Sequence, residues 1–326
     1  MDEKEAENIR EILLNAVPKS SMAVHRKRFK SNENETINTL YEMPGPSTNP
    51  PSNRFDTESE PSPFSDIHII FENARKSFLS ETIFNVPIYP IRKCCLEVYE
   101  TKIICNDIEN TCNMTSFDLK KWQEERRYRI TGSRCYGLYT YSKEDWETKS
   151  SKYFWPKMFS NKYTKYGILF EKEARETYSK NLNRHVVTCG LIISESNPFL
   201  AYSPDGIIIE NNVPIKLLEI KCPFKGQEVT AVSLFHSCSY LKIENDRMVL
   251  NKKHTYYGQV QLGMAILNLK ECDFIVYSSF DKTFLNIIVP FDVVYSQIMS
   301  FQLNPTALQI SGVIPEKCHF IENWIR

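Results

Sequence analysis

Two carboxylates and a lysine lie close together between residues 203 and 223, in the stretch SPDGIIIENNVPIKLLEIKCP. Carboxylate oxygens are the ligands that Mg²⁺ prefers in proteins, so Asp205 and Glu219 could bind this ion. A bound Mg²⁺ polarises a phosphate and lowers the pKa of a coordinated water, and Lys221 could position that water and offset developing negative charge. The spacing therefore predicts a metal-dependent site for phosphodiester cleavage, although Asp…Glu-x-Lys alone is a short and common pattern.

A hairpin would bring these three side chains together. Asn211-Asn212 is typical of a tight turn between two apolar strands, across which the aspartate can reach the glutamate. Side chains alternate along a strand, so Glu219 and Lys221 share one face and Ile220 points to the other. A strand as apolar as IKLLEIKCP should be central and buried, where its charges need partners or a metal. The alternative is an exposed edge hairpin in which Glu219 and Lys221 form an ordinary surface ion pair.

A third carboxylate, Glu171, lies on a predicted amphipathic helix at about 166–181. Helical spacing puts Glu171 on one stripe with Gly167, Ala174 and Tyr178, and this stripe of small and aromatic residues should pack inward. A glutamate on an inward face either extends to solvent or serves a site. The nearby candidate ligands favour the site.

The elements that must position these residues are predicted from about residue 116 onward. The patterns predict helices at 118–129, near 131–133, and at 166–181, 255–268 and 291–302, and strands at 186–193, 206–210, 215–221, 273–279 and 283–289. Strands at the centre of the sequence with helices on either side indicate an α/β fold, a mixed central sheet flanked by helices.

The chain before residue 116 is predicted to differ in character. Residues 1–66 are rich in Pro, Ser and Asn in their second half and are expected to be largely disordered. Residues 67–115 form a small leading region whose segments IHIIFENA, IFNVPIYPI and LEVYETKIIC suggest short strands. Its cysteines, at 94, 95, 105 and 112, lack a C-x-x-C spacing, so free or buried thiols are favoured over zinc.

Composition restricts the class of protein and its location. The 326 residues contain 40 Lys plus Arg and 40 Asp plus Glu, so a nucleic acid would have to be held by a local basic patch. No secretory signal or membrane-spanning run is found, which predicts an intracellular protein with reduced thiols and no membrane partner. The cluster HRKRFK at 25–30 could direct nuclear import or tether nucleic acid; as a solvated charge run it would leave the protein cytoplasmic.

Four blocks resemble the YqaJ-type viral recombinases, relatives of phage lambda exonuclease in the PD-(D/E)xK nuclease superfamily. They are WQEERRYRITGS at 122–133, GILFEKEA at 167–174, SPDG followed by LEIKCP, and YYGQVQ at 256–261 with the sequence that follows. Together they cover about 116–280, and each is weak alone but specific in this order. In the first block Gly132 replaces the family's usual alanine.

The resemblance implies a restriction-endonuclease-like fold over 116–326 and a metal-dependent 5′-to-3′ exonuclease acting on double-stranded DNA ends in recombination or repair. It assigns Mg²⁺, for which Mn²⁺ could substitute, to Glu171, Asp205 and Glu219, and catalysis to these three residues and Lys221. It further suggests a single-strand annealing protein as partner and a homo-oligomer, as lambda-type enzymes form.

The same resemblance assigns the terminal 5′-phosphate to Arg126 and Ser133. A basic cluster that also includes Arg129 runs into a predicted helix N-terminus, where backbone N–H groups favour an anion. Gln259 and Gln261 are further candidates for DNA contact. They lie two apart on a helix, so only one should enter the site, and spacing alone does not choose between them.

Two other functional classes remain open, and two more are disfavoured by the sequence. A nuclease fold without turnover, acting as a DNA-binding adaptor, is one alternative, and an endonuclease of the same superfamily is another. His185 and His236 lack partners at a useful spacing for a nucleophilic triad. The chain has no Gly-rich phosphate loop, which disfavours an ATP-driven motor.

Overall fold

The computed structural model describes residues 63–76, 99–142, 149 and 161–303. The predictions for residues 1–62, the basic cluster at 25–30, the strand-like segment at 83–91 and the cysteines at 94 and 95 lie outside these residues. No helix in the described ranges is long and apolar enough to cross a membrane.

The described elements follow one another as alternating groups of helices and strands. The helices are α1 (Pro63–Arg75), α2 (Ile108–Phe117), α3 (Leu119–Arg127), α4 (Gly132–Tyr139), α5 (Lys162–Leu182), α6 (Ala231–Leu234), α7 (Thr255–Leu267) and α8 (Val293–Leu303). The strands are β1 (Ile130–Thr131), β2 (His185–Val187), β3 (Ile192–Ile193), β4 (Leu200–Tyr202), β5 (Gly206–Glu210), β6 (Val213–Lys221), β7 (Leu241–Glu244), β8 (Arg247–Leu250), β9 (Glu271–Ser278) and β10 (Thr283–Pro290).

The largest sheet among the described residues has the strand order β10-β9-β6-β5-β2, with β6 in the middle. Strand β6 pairs antiparallel with β5 and parallel with β9, so the sheet is mixed. Asn211 and Asn212 join β5 to β6 with φ of 50° and 61°, the left-handed conformation that a tight hairpin turn requires. The predicted hairpin and the central position of its second strand are confirmed.

Two smaller sheets flank this one. Strand β1 pairs parallel with β4, and β4 pairs antiparallel with β3, which gives the order β1-β4-β3. Strands β7 and β8 form a separate hairpin whose turn at Asn245 and Asp246 also has positive φ. The three-stranded sheet places the end of β4 next to the loop that carries Asp205.

Helices cover both faces of the central sheet, as predicted. On one face Ala174 and Tyr178 of α5 pack against Ile208, Leu218 and Ile220. Each large side chain buried there contributes roughly 1.5–3 kcal/mol to folding. Helix α7 covers the opposite face, and all of its residues from Tyr257 to Leu267 are buried except Gln259.

The leading region does not have the predicted strands. IHIIFENA at 67–74 lies inside helix α1, and Tyr99–Ile103 within LEVYETKIIC forms a single π-helical turn. Ile67, Ile70 and Phe71 are buried at helical spacing, so tertiary packing of a helical stripe prevails over their strand propensity. The predicted strand at 186–193 is also wrong in its middle, because β2 ends at Val187 and β3 begins at Ile192.

Candidate active site

The four predicted catalytic residues line one pocket of about 820 Å³ at the carboxyl end of β6. Asp205 comes from the loop between β4 and β5, and Glu219 and Lys221 come from β6. Glu171 enters from α5. The fold therefore brings together side chains from three separate segments of the chain, and the hairpin reading of the sequence accounts for two of these segments.

Asp205 is fixed at the start of the hairpin by the neighbouring strand. Its Oδ2 accepts a 2.7 Å hydrogen bond from the backbone N–H of Ile220. Removal from water raises the pKa of this carboxyl well above its ordinary value, and the negative charges of Glu219 and Glu171 raise it further, whereas Lys221 opposes them. The pocket thus concentrates negative charge at Asp205, which a bound cation would relieve.

Glu219 is completely buried and accepts hydrogen bonds from three side chains. Tyr202 donates its hydroxyl to Oε2 over 2.6 Å, and Gln259 donates Nε2 to Oε1 over 2.5 Å. The Lys221 ammonium also donates to Oε1. Three donors satisfy the oxygens of this carboxylate, which meets the requirement that a buried polar group on a central strand has hydrogen-bond partners.

Lys221 is the last residue of β6 and its side chain is 18% exposed. Burial disfavours its charge, but the carboxylates of Glu219 and Asp205 outweigh burial and raise the pKa of the ammonium above the ordinary lysine value. The ammonium also lies 4.6 Å from the centre of the Tyr256 ring, at the start of α7. Lys221 is therefore a cation held at the carboxylate cluster.

Glu171 is the most accessible of the three acids, with 39% of its side chain exposed. The stripe that predicted its position is confirmed in part, because Ala174 and Tyr178 are buried and Glu171 lines the pocket. Arg175, one turn later, donates to Oε1 of Glu171 over 2.6 Å and to the backbone carbonyl of Asp205 over 2.6 Å. Arg175 ties α5 to the Asp205 loop, a role that spacing did not predict.

The predicted phosphate-binding residues lie at another wall of the same pocket. Arg126 donates to Oγ of Ser133 over 3.0 Å, and its guanidinium lies 3.9 Å from the centre of the Trp122 ring. The Trp122 indole N–H donates to Oγ of Ser203 over 2.9 Å. Ser133 lies in the first turn of α4, so the Arg126 guanidinium and a helix N-terminus face the same cavity.

Arg129 does not take part in this pocket, which corrects the prediction that it contacts DNA. Its side chain is 1% exposed and donates to the carbonyls of Ile103 and Pro198 over 2.9 and 3.0 Å. It also forms a 2.7 Å ion pair with Glu125. Burial lowers the pKa of this guanidinium, although the Glu125 charge opposes that shift. Arg129 stabilises the junction of α3 with the segments around it.

The structure also separates the two glutamines of α7. Gln259 lines the pocket and contacts Glu219. Gln261 is fully buried, donates to the carbonyl of Pro290 over 3.0 Å and accepts from the N–H of Asp292 over 2.8 Å. The prediction of a DNA contact is therefore wrong for Gln261, because its amide is used to join α7 to the segment before α8.

The donor set of the pocket fits a hard divalent cation. Glu171, Asp205 and Glu219 supply carboxylate oxygens, the ligand type that Mg²⁺ and Mn²⁺ favour. Burial, together with the charges of the other two acids, raises the pKa of Asp205. Among the described residues, no group of three or more His, Cys, Asp or Glu side chains is already arranged to hold a metal ion. The described cysteines are free thiols. Glu171 accepts from Arg175 through Oε1, so it would bind a metal through Oε2 or in place of this ion pair.

The part of the chain that contains most of this pocket matches a known protein family. Residues 121–270 match the model of the YqaJ-like viral recombinase domain, which confirms the resemblance found in the sequence. A search of curated protein sequences finds no significant match.

Several solved structures are similar to the chain. An alkaline exonuclease from Laribacter hongkongensis shares 19% identity over 63% of this chain and 97% of its own, with a TM-score of 0.45. A phage-related exonuclease from Haemophilus somnus 129PT shares 13% identity over 55% of this chain and 96% of its own, with a TM-score of 0.34. SOX from a SOX–DNA complex shares 10% identity over 76% of this chain and 91% of its own, with a TM-score of 0.37.

Proposed function

Because residues 121–270 carry a YqaJ-like viral recombinase domain, we propose that this protein is a nuclease that hydrolyses phosphodiesters in DNA. The observation that carries the proposal is the convergence of Glu171, Asp205, Glu219 and Lys221 in one pocket. Two of these four residues, Glu219 and Lys221, are charged groups that a central strand would otherwise bury at a cost. A catalytic role explains why they are there.

Mg²⁺ is the proposed cofactor, with Mn²⁺ as a substitute, and Glu171, Asp205 and Glu219 would hold it. When bound, such an ion polarises the phosphate and supplies a water of lowered pKa. The chain itself contributes orientation: Tyr202 and Gln259 fix the Glu219 carboxylate, and Ile220 N–H fixes Asp205. The Lys221 ammonium would offset negative charge that develops on the reacting phosphate.

The substrate proposed is linear double-stranded DNA with a 5′-phosphate, digested in the 5′-to-3′ direction. Arg126 beside Ser133 offers a guanidinium and a helix N-terminus to an anion, and this pair lines the same cavity as the carboxylates. A terminal phosphate held there would position the adjacent phosphodiester near the acids. The chain has no net charge, so this local site and its surroundings would supply the attraction to DNA.

A role in recombination or repair, with a single-strand annealing protein as partner and a homo-oligomer as the working form, completes the proposal.

A second candidate is a DNA-binding protein of the same fold without turnover. It is favoured by one observation, the ion pair between Glu171 and Arg175 at the position where a metal ligand is expected. An endonuclease is the third reading, and the substrate used in the assay distinguishes it.

The test is digestion of 5′-phosphorylated linear duplex and of closed circular duplex by the purified full chain, with Mg²⁺, with Mn²⁺ and with chelator. We expect metal-dependent loss of the linear duplex from its 5′ ends and intact circles. Cutting of circles would support the endonuclease instead. Intact linear DNA with retained binding in a gel-shift assay would identify the protein without turnover.

Asp205→Asn is the matched control for this assay. Asparagine keeps the shape of aspartate and an oxygen that can accept from Ile220 N–H, but it lacks the charge that a metal ligand needs. We expect Asp205→Asn to lose digestion while it retains folding and DNA binding. Digestion at the wild-type rate would exclude Asp205 from the active site.

A further inference from the structure

Four aromatic side chains form a cluster that reaches the Lys221 ammonium through Tyr256, and the proposed mechanism does not use them. They are Tyr240, which directly precedes β7, His254 and Tyr256 at the start of α7, and Phe274 on β9. Tyr240 and Tyr256 line the pocket with Lys221. Phe274 lies beside Glu219 in the pairing of β6 with β9, so these rings belong to the face of the sheet that carries the site.

The Tyr256 ring is the member of this cluster that contacts the charge. The Lys221 Nζ lies 4.6 Å from its centroid, within the distance at which the negative face of an aromatic ring attracts a cation. Because the ammonium is largely removed from water, this attraction is stronger than at an exposed site.

Neighbouring groups hold the Tyr256 ring in place. Tyr240 meets it edge to face at 5.0 Å, His254 at 4.6 Å, and Phe274 lies 5.9 Å away. His254 also precedes α7 as its N-cap, and its Nδ1 accepts a 3.2 Å hydrogen bond from the Tyr256 N–H. The backbone and the ring of Tyr256 are therefore both fixed, which gives the cation a rigid partner.

Glu219 alone is a poor anchor for Lys221 because its oxygens have several partners. Oε1 accepts from both Lys221 and Gln259, and Oε2 accepts from Tyr202. If Glu219 also binds a cation, as proposed above, that cation competes with Lys221 for the same carboxylate. A neutral ring face holds an ammonium without occupying a carboxylate oxygen.

We propose that Tyr256 is a positioning residue that keeps the Lys221 ammonium at the reacting phosphate through its ring face, independently of Glu219. The kinetic part of this inference rests on the proposed nuclease function. The Tyr256 ring acts through Lys221, and its hydroxyl has no part in the reaction. A purely structural role, in which Tyr256 only covers Phe274, is the alternative that the experiments must separate.

Replacement of residue 256 by phenylalanine and by its mono-, di- and trifluorinated forms tests the ring face directly. Each added fluorine weakens the attraction for a cation while the ring keeps nearly the same volume, so the fold should be retained. Relative to Tyr256→Phe, we expect kcat to fall stepwise, by about three- to thirtyfold in total, the range that corresponds to the usual strength of such contacts. KM for DNA should stay constant. An unchanged kcat across the series would overturn the proposal.

Tyr256→Leu removes the ring face altogether and should lower kcat at least as far as the trifluorinated ring. If Tyr256→Leu proves unfolded by circular dichroism, the fluorinated series alone decides the question. A fall in kcat that is as large for Tyr256→Phe as for Tyr256→Leu would assign the effect to the hydroxyl and would also overturn the proposal.

A readout in the metal-free protein separates this inference from the proposed function. Protein labelled with ¹³C at lysine Cε, with the Lys221 signal assigned by its absence in Lys221→Arg, reports whether an aromatic ring faces that side chain. We expect an upfield ring-current shift in the wild type and in Tyr256→Phe, and loss of this shift in Tyr256→Leu. If the wild type shows the shift but no digestion, the nuclease proposal fails while the contact stands. A wild-type signal at the position of an exposed lysine would overturn the contact itself.

Discussion

The hydroxyl of Tyr202 donates a 2.6 Å hydrogen bond to Oε2 of Glu219, and both side chains are almost completely buried. Tyr202 ends β4, whereas Glu219 lies on the middle strand of the central sheet, so this bond joins the two sheets at the candidate active site. Removal from water raises the pKa of the Tyr202 phenol well above its ordinary value, and the Glu219 charge adds to this effect. The phenol therefore keeps its proton at neutral pH and acts as the donor to Glu219.

Tyr202→Phe removes this donor and leaves the ring in place. We expect the free energy of unfolding to fall by about 1–3 kcal/mol, because a buried carboxylate loses one of its partners. We also expect the rate of DNA digestion to fall by roughly tenfold, since 1.4 kcal/mol of lost orientation corresponds to that factor. Urea denaturation and a timed digestion assay measure the two effects. Equal stability and rate would show that Glu219 does not depend on Tyr202.

Gly132, at the start of α4, leaves room for the same ring. A Cβ at Gly132 would lie 2.5 Å from the Tyr202 ring, and a Cβ at Gly263 would lie equally close on α7. The Tyr202 ring therefore cannot move away from an added Cβ at residue 132 without approaching residue 263. We expect Gly132→Ala to lower the free energy of unfolding by about 1–3 kcal/mol, as overpacking of a core does.

Gly167→Ala is the control for this substitution. Gly167 lies within α5, and an added Cβ there would meet no atom within 4 Å. Alanine should stabilise a helix at such a position by up to about 1 kcal/mol. Thermal unfolding of both variants should therefore show shifts of opposite sign. A stabilising Gly132→Ala would mean that Tyr202 can repack.

The site could be predicted from sequence where the geometry is local. The alternation of a strand placed Glu219 and Lys221 on one face, and the period of a helix placed Glu171 in line with Ala174. Both patterns depend only on the backbone repeat. Tyr202 was missed because β4 has three residues and carries no readable alternation.

The predictions of site residues that failed concern side chains whose partners are distant in sequence. Arg129 belongs to a basic cluster, yet its buried guanidinium donates to backbone carbonyls that lie 26 and 69 residues away along the chain. Gln261 is likewise used by Pro290 and Asp292, on the far side of two strands. The local sequence pattern does not show these partners, because the groups that satisfy Arg129 and Gln261 lie far away along the chain.

The structural role of Arg129 predicts that its substitution lowers stability and leaves DNA affinity unchanged, whereas a DNA contact would predict the reverse. Arg129→Met leaves the backbone carbonyls of Ile103, Glu125 and Pro198, and part of the Glu125 carboxylate, without this donor. We expect the free energy of unfolding to fall by about 3 kcal/mol, as when one partner of a buried ion pair is removed. Arg127→Met, an exposed neighbour, should change stability by less than about 0.5 kcal/mol. DNA affinity of folded Arg129→Met should match the wild type, and a selective loss of affinity would restore the direct contact.

If the protein has the proposed nuclease function, the Arg126 site predicts that it distinguishes 5′-phosphorylated from 5′-hydroxyl DNA ends. Arg126→Lys keeps the charge but loses the forked geometry that fits both Ser133 and a phosphate, as well as the stacking on Trp122. We expect the wild type to digest 5′-phosphorylated ends faster than 5′-hydroxyl ends, and Arg126→Lys to reduce this ratio by roughly tenfold, the effect of losing about 1.4 kcal/mol. Arg127→Lys, on the exposed side of the same helix, should keep the wild-type ratio. The measurement is the initial digestion rate on the two substrates under identical metal and salt. If Arg126→Lys slows both substrates equally, Arg126 attracts the DNA backbone in general and the end is selected elsewhere.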